Sequence, residues 1–201
     1  MTQQYFPYGE EVLAHLRKKD KKLGAAIDRM GMIQRKITPD PFTALVESII
    51  GQQISNKAAA TVCGRLVELS GMAPCKLNAL PLEEIQACGM SMRKAGYIKN
   101  IAEAVVMQTI DFDAFPEMTD QEIINTLTAI KGVGQWTAEM LLIFSLMRPD
   151  VVSYGDFAIR RGMMKLYGLK EISKEQFMRY AKRYVPYGSV ASLYLWQLSA
   201  T

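Results

Sequence analysis

The sequence is poor in the residues that most metal sites and disulfide frameworks use. Among 201 residues it has one histidine, His15, and three cysteines, Cys63, Cys75 and Cys88. Three widely spaced cysteines form neither a CxxC metal motif nor a disulfide framework, and we expect all three to be buried thiols. A single histidine excludes zinc hydrolase motifs and most Ser-His-Asp triads. Any chemistry of this chain therefore depends on other side chains.

Long apolar runs and targeting signals are missing as well. No stretch of the sequence approaches the ~18 apolar residues of a membrane helix, and the first residues carry no basic and apolar tract. We therefore expect an intracellular protein without a membrane partner, cytoplasmic and nucleoid-associated in a prokaryote or nuclear in a eukaryote. No GxxxxGK[ST] loop occurs, and Gly132-x-Gly134 lacks the third glycine and the preceding strand of a dinucleotide-binding fingerprint.

The charge balance is mildly basic. Lysine and arginine number 24 against 20 aspartates and glutamates, which gives a formal net charge of +4. Such an excess is compatible with a polyanionic partner but is common among globular proteins. The densest basic run, at residues 17–22, is typical of a solvated junction between helices.

Apolar residues recur with the helical period over almost the whole chain. Asp40-Pro41 opens a helix that Gly51-Gln52-Gln53-Ile54 interrupts, and further helices are predicted at 135–147, 157–167 and 189–198. Helix starts are predicted at Ser55, Ser91, Thr119 and Ser173, the last two with capping-box partners Glu122 and Gln176. Residues 151–154 are extended but too short to make a sheet. With roughly ten helices and no paired strands, the sequence predicts an all-α fold.

A glycine turn and a carboxylate downstream of it are the most informative features. Residues 130–137 read Ile-Lys-Gly-Val-Gly-Gln-Trp-Thr, and Asp156 stands 22 positions after Gly134 (156 minus 134). The backbone N–H groups of a Gly-x-Gly turn at a helix start bind anions, so the turn predicts a phosphate site. Asp156 is either a plain helix N-cap, a carboxylate that serves chemistry on the bound molecule, or both.

These features, together with four further segments, resemble the helix-hairpin-helix superfamily of DNA glycosylases, and within it the 3-methyladenine DNA glycosylase II branch. The segments are 40–55, 89–95, 134–138 and 186–189 leading to Trp196. They span about residues 37 to 198 in the family's order. The resemblance implies two helical lobes flanking a DNA-binding cleft. One lobe would comprise about residues 38–150, and the other about residues 1–37 with 151–201.

The resemblance implies a monofunctional DNA glycosylase. Such an enzyme flips an alkylated purine of the 3-methyladenine or 7-methylguanine type out of duplex DNA, hydrolyses its N-glycosidic bond and so starts base excision repair. Asp156 would stabilise the cationic sugar, activate the attacking water, or both. Trp136 stands where relatives that also cut the strand carry a Schiff-base lysine, so we expect no strand cleavage. A non-catalytic protein that binds DNA structures through the same hairpin is the alternative.

Aromatic residues are assigned to a base pocket by the same resemblance. Trp136 and Trp196 match aromatic pocket positions of the branch, where an electron-rich ring suits a cationic base. Met140 replaces a tyrosine of the branch, and Tyr154 is the candidate that compensates for it. A core position is the alternative for each of these rings.

The glycine hairpin is expected to hold the DNA backbone. Gly132 and Gly134 let the chain approach a phosphate without a Cβ in the way, and Lys131 adds a point charge. The family often holds a monovalent cation on the carbonyl oxygens of this turn. We therefore expect Na⁺ or K⁺ on the backbone of Ile130 and Val133 when DNA is bound.

Two further segments are expected to touch DNA. Gln53 stands where the branch inserts a side chain into the gap left by the flipped nucleotide, with a locally bonded interhelical amide as the alternative. Ser91, Arg93 and Lys94 begin a helix that would meet the opposite strand, although surface solubility explains the basic residues equally well.

No counterpart of the four-cysteine run of iron–sulfur glycosylases follows Cys88, so no Fe–S cluster is expected. We expect a monomer.

Overall fold

A computed structural model of the chain describes residues 4–201. Within this range the chain forms twelve α-helices and one 3₁₀ helix, and its only β-type pairing is a single bridge between Tyr5 and Lys36. The predicted all-α fold class is confirmed. No helix of the described range is both long enough and apolar enough to cross a membrane.

The helices follow one another closely along the chain. They are α1 (Glu10–Lys19), α2 (Lys21–Met30), α3 (Pro41–Gly51), α4 (Asn56–Ser70), α5 (Pro74–Ala79), α6 (Leu82–Ala87), α7 (Met92–Val106), the 3₁₀ helix (Phe112–Glu117), α8 (Asp120–Thr128), α9 (Gln135–Phe144), α10 (Phe157–Tyr167), α11 (Lys174–Ala181) and α12 (Gly188–Ala200). The side-chain caps predicted at Ser55, Ser91, Thr119 and Ser173 are all present, and both capping boxes are formed.

These helices form two compact units. The first contains the described residues up to Ile37 and Leu142–Thr201, and the second is Thr38–Leu141. The chain thus returns to the first unit within α9, whereas the resemblance placed this return at about residue 150. Helix α9 also ends at Phe144 and not near Met147, because the Arg148 N–H donates to the Leu142 carbonyl (2.8 Å) and closes the helix.

In the first unit, α10 packs along α12, and both also contact α2. α10 and α12 are in close contact at Gly162, which is buried. A Cβ built on Gly162 would lie 1.9 Å from the Leu195 carbonyl oxygen, so only glycine fits there without a shift of the backbone. This contact fixes the relative position of the two helices that carry Asp156 and Trp196.

A buried carboxylate lies within the basic run at the junction of α1 and α2. The lysines of this run are exposed, as predicted, but Asp20 is only 4% exposed. Its carboxylate caps α2 and accepts hydrogen bonds from the Tyr167 hydroxyl (2.7 Å) and the Arg183 guanidinium (3.0 Å). Burial would raise the pKa of Asp20, but the Leu23 N–H, Tyr167 and Arg183 together hold it below its usual value. Asp20 therefore ties the junction to α10 and to the segment after α11.

In the second unit, α7 is the helix against which α3, α5 and α6 pack. The predicted apolar face of α3 is confirmed, since all its members are buried: Phe42, Leu45, Val46, Ile49 and Ile50. On α7, Ala95, Ile98 and Ala102 are buried as predicted. Val105 is only half-buried, and Ile101 is the further buried member of this face.

The cysteines differ from the prediction of three buried thiols. Cys88 is buried, but Cys63 is half-buried and Cys75 is exposed. Cys75 is the second residue of the short helix α5, of which only Leu77 is buried. Burial raises the pKa of the Cys63 thiol to about 11, so this thiol stays protonated at neutral pH.

Candidate active site and nucleic-acid-binding turns

Asp156 lies at the start of α10 in the first unit. Its backbone is extended (φ −79°, ψ 114°), and its Oδ1 accepts the Ile159 N–H at 2.8 Å. Asp156 is thus the N-cap of α10, which is one of the two roles considered from the sequence. Capping fixes the carboxylate in place and is compatible with a chemical role.

The same carboxylate oxygen is bound by a tryptophan of α12. The Trp196 Nε1–H donates to Asp156 Oδ1 at 3.2 Å, and the Asp156 residue is only 8% exposed. The Trp196 ring is half-buried and stacks on Phe144, with 5.3 Å between the ring centroids and 29° between their planes. An ionised carboxylate only accepts hydrogen bonds, so two N–H donors on one oxygen suit it. Trp196 therefore orients Asp156, and this role is compatible with the predicted place of its ring in a base pocket.

Arg35 covers the aromatic pair beside Asp156. Its guanidinium carbon lies 5.3 Å from the centroid of Phe144 and 5.9 Å from that of Trp196, within cation–π range of both rings. The sequence did not indicate Arg35 or Phe144. Neither residue belongs to a motif, and Arg35 lies far from both aromatic residues along the chain.

Tyr154 packs within the first unit. Its half-buried ring meets Phe177 edge to face at 5.2 Å, and the Arg160 guanidinium lies 5.1 Å from its centroid. The packed position was the alternative to a pocket role, and the pocket role of Tyr154 stays a prediction.

Phe157 is a candidate site residue that was not predicted from the sequence. It directly follows Asp156 and is 65% exposed, the highest value among the exposed large apolar side chains of the described chain. The helical period contains a signal for it, because the buried face of α10 includes Ile159, Met163 and Tyr167, and Phe157 lies off that face. An exposed aromatic ring beside a buried carboxylate is available to stack on a bound molecule.

The glycine turn lies between α8 and α9 in the second unit. Gly132 has φ +107°, and a Cβ there would come within 2.2 Å of the Tyr97 side chain. Gly132 is therefore required by the fold itself. Gly134 differs, because it is exposed and a Cβ built on it meets no atom within 4 Å. The chain does not need a glycine at position 134 for its own packing.

The backbone of the turn has defined hydrogen bonds. The Ile130 carbonyl accepts the Val133 N–H (3.0 Å), and the Lys131 carbonyl accepts the Asn100 amide (3.0 Å). The Lys131 side chain is exposed and Val133 is buried. A carbonyl oxygen has two lone pairs, so these bonds leave the predicted cation contacts feasible, and they stay a prediction.

Trp136 and Met140 are one turn apart on α9. Trp136, the second residue of the helix, is half-buried, and Met140 is 6% exposed. A spacing of four residues places both side chains on one face of the helix. Their pocket roles stay predictions.

The interruption between α3 and α4 is confirmed and is a tight turn. Gln53 lies in it with φ +60°, a left-handed conformation that is uncommon for a residue other than glycine. The Gln53 side chain is exposed and makes no hydrogen bond in the described part of the chain, so it is not the interhelical amide considered as the alternative. The neighbouring Gln52 has that role, because its Nε2 donates to the Thr137 hydroxyl at 3.5 Å.

The start of α7 bears two of the predicted contact residues on its surface. Ser91 and Arg93 are exposed, and the Ser91 hydroxyl also caps the helix by accepting the Lys94 N–H (3.3 Å). Lys94 does not point to solvent as the sequence suggested. Its Nζ donates to the carbonyls of Ile50 (2.8 Å) and Gln52 (2.6 Å).

The comparisons with known proteins identify the family. The chain matches the HhH-GPD superfamily of base excision DNA repair proteins over residues 46–187, and it belongs to this superfamily. It is 35% identical over 166 residues to DNA-3-methyladenine glycosylase 1 of Schizosaccharomyces pombe, covering 80% of this chain and 73% of the relative. It is 30% identical over 200 residues to the DNA-3-methyladenine glycosylase of Saccharomyces cerevisiae, covering 81% and 68%. The resemblance inferred from the sequence is thereby confirmed.

Two solved structures share the fold along nearly the whole chain. The DNA-3-methyladenine glycosidase of Bacillus halodurans is 37% identical with a TM-score of 0.84, covering 100% of this chain and 94% of that one. The 3-methyladenine DNA glycosylase of Schizosaccharomyces pombe, solved in complex with abasic DNA, is 30% identical with a TM-score of 0.84, covering 95% and 97%.

Proposed function

We propose that this protein is a monofunctional DNA glycosylase that hydrolyses the N-glycosidic bond of alkylated purines in duplex DNA and so starts base excision repair. The observation that carries the proposal is the Asp156 carboxylate, buried at the start of α10 and bound by the Ile159 N–H and the Trp196 indole. The family supports it, and so do the relatives, which are named 3-methyladenine glycosylases.

The chemistry needs little beyond this carboxylate. A purine alkylated at a ring nitrogen carries positive charge, so it leaves as a neutral base with the electron pair of the bond to C1′. The sugar is left with oxocarbenium character, which a fixed anion stabilises. Water then bonds to C1′ and releases a proton, to Asp156 or to solvent. Trp136 has no amine and cannot form a Schiff base with the sugar, so the DNA strand stays intact.

The glycine turn and the turn at Gln53 are the DNA contacts of this proposal. The turn at Gly132 and Gly134 would bind a phosphate through backbone N–H groups, with Na⁺ or K⁺ on its carbonyl oxygens. The exposed Gln53 would fill the gap left by the flipped nucleotide. The protein would act as a monomer and would need no other cofactor.

The activity itself is tested by base release. We expect the protein to release 3-methyladenine or 7-methylguanine from duplex oligonucleotides and to leave abasic sites that alkali cleaves. Without alkali the strand should stay intact, and borohydride should trap no protein–DNA adduct, because Trp136 replaces the lysine. Binding to DNA without any base release would instead favour the non-catalytic alternative, and a trapped adduct would overturn the monofunctional assignment.

Gly134 offers a specific test of the phosphate contact. We expect Gly134→Ala to weaken duplex DNA binding by at least about tenfold, because the methyl group would project from the turn where a phosphate has to approach. Since a Cβ at Gly134 meets no atom of the chain within 4 Å, the melting temperature should not fall. Fluorescence anisotropy with a labelled duplex measures the affinity.

The matched control for this variant is Gly64→Ala. Gly64 is exposed on α4, and a Cβ there also meets nothing within 4 Å. DNA affinity should be unchanged in this control. Equal affinities of Gly134→Ala and the wild type would show that the turn does not hold a phosphate at this position.

A further inference from the structure

We propose that Lys94 is a positioning residue for the DNA wedge: its ammonium group holds the turn that presents Gln53. This inference rests on the function proposed above, in which Gln53 enters the gap left by the flipped nucleotide. It gives Lys94 a role inside the protein in place of the contact with the opposite DNA strand that its position in the sequence suggested.

The ammonium group of Lys94 binds two backbone carbonyls next to Gln53. Lys94 Nζ lies 2.8 Å from the Ile50 carbonyl oxygen and 2.6 Å from that of Gln52, so it binds the end of α3 and the residue directly before Gln53. No carboxylate in the described part of the chain pairs with Lys94. The last carbonyls of a helix have no intrahelical partners and carry partial negative charge. An ammonium group donates hydrogen bonds to them and offsets this charge.

The turn needs such support because of its backbone. Gln53 has φ +60°, and a non-glycine residue keeps this conformation only where its surroundings fix it. The Gln53 side chain contributes nothing to the turn, since it is exposed and makes no hydrogen bond in the described residues. Besides those of Lys94, the only side-chain hydrogen bond to residues 50–53 in the described part of the chain is the long one from Gln52 to Thr137. Lys94 is thus the strongest side-chain restraint on the segment before Gln53.

The chain contains a matched control on the same helix. Lys99 also lies on α7, is also half-buried, and also donates its Nζ to a backbone carbonyl, that of Leu80. Leu80 lies between α5 and α6, outside the segment of Gln53. Replacing either lysine by methionine removes one half-buried ammonium group from α7, but only Lys94→Met releases the turn.

The first experiment is a double-mutant cycle. We expect Lys94→Met to lower the single-turnover rate of base release from duplex DNA about tenfold, and Lys99→Met to leave it unchanged. In a Gln53→Ala background the same Lys94 change should cost less than about twofold, because the wedge it positions is already absent. A wild-type rate in Lys94→Met, or an equal loss in both backgrounds, would overturn the inference.

The second measurement does not depend on activity. Amide hydrogen exchange of residues 51–55 should be at least about tenfold faster in Lys94→Met than in Lys99→Met, because the turn opens more often. Unchanged exchange would refute the positioning role even in an active enzyme. Should Lys94→Met not fold, Lys94→Gln takes its place, since its amide can still donate to one carbonyl. Absence of base release by the wild type would count against the proposed function alone, while the exchange result would still decide the role of Lys94.

Discussion

Asp156→Asn is expected to lower the rate of base release by at least about 100-fold, the loss typical for one group that stabilises transition-state charge. Asparagine keeps the shape of aspartate, caps helices as well as aspartate, and offers a carbonyl oxygen to the Ile159 and Trp196 N–H groups. The substitution therefore removes the negative charge and keeps an acceptor for both of these N–H groups. Single-turnover base release from a methylated duplex measures the effect, and the melting temperature should stay within a few degrees of the wild type.

Asp40→Asn is the matched control for this experiment. Asp40 is likewise an N-cap, of α3, and its carboxylate accepts the Thr43 N–H at 2.8 Å. It is exposed and lies in the second unit, so its charge should not matter for base release. If Asp156→Asn released the base at a rate close to that of Asp40→Asn, Asp156 would be a helix cap only.

Features that depend on neighbouring residues could be predicted from the sequence. The capping boxes at Thr119 and Ser173 are confirmed because each closes within four residues, and the bounds of α10 agree with the prediction because a cap and a glycine define its two ends. The predicted all-α class follows from many such segments. Helix α5 was missed, because its six residues have no side-chain cap and no glycine follows them to mark the end of the helix.

Features that depend on distant residues could not be predicted. Asp20 lies in a run of lysines, and its burial depends on Tyr167 and Arg183, which are 147 and 163 residues away in the sequence. The same holds for Lys94, whose partners lie more than 40 residues earlier. Charge patterns describe the average environment of a basic residue, and they do not show which individual carboxylate or carbonyl the fold brings to it.

In the candidate site, the sequence indicated Asp156 and Trp196 but not the hydrogen bond between them. Resemblance placed Trp196 in a base pocket, whereas the structure adds that its indole N–H binds the Asp156 carboxylate at 3.2 Å. Phe157 was missed although it lies off the apolar face of α10, because it was read only as the first residue of that helix. A carboxylate can be found by its motif, but the groups that orient it come from other helices and require the fold.

Gly162→Ala should be the most destabilising of the substitutions considered. Alanine favours a helix over glycine by about 1 kcal/mol, but here its Cβ would lie 1.9 Å from the Leu195 carbonyl oxygen and 2.6 Å from the Leu195 carbonyl carbon. These are backbone atoms of α12 and cannot move aside as a side chain can, so α10 and α12 would have to separate. We expect a loss of about 3 kcal/mol or more in the free energy of unfolding, and a melting temperature lower by about 10 °C.

The effect should extend to catalysis, because the two separated helices carry Asp156 and Trp196. Their hydrogen bond is 3.2 Å long, so a shift of about 1 Å would break it. Base release should therefore fall even at temperatures where Gly162→Ala is folded. Gly64→Ala is the control, since its added methyl group meets no atom within 4 Å. It should raise the melting temperature slightly, because alanine favours a helix over glycine. Unchanged stability of Gly162→Ala would mean that α10 and α12 are not held this close, and that the carboxylate is oriented by other means.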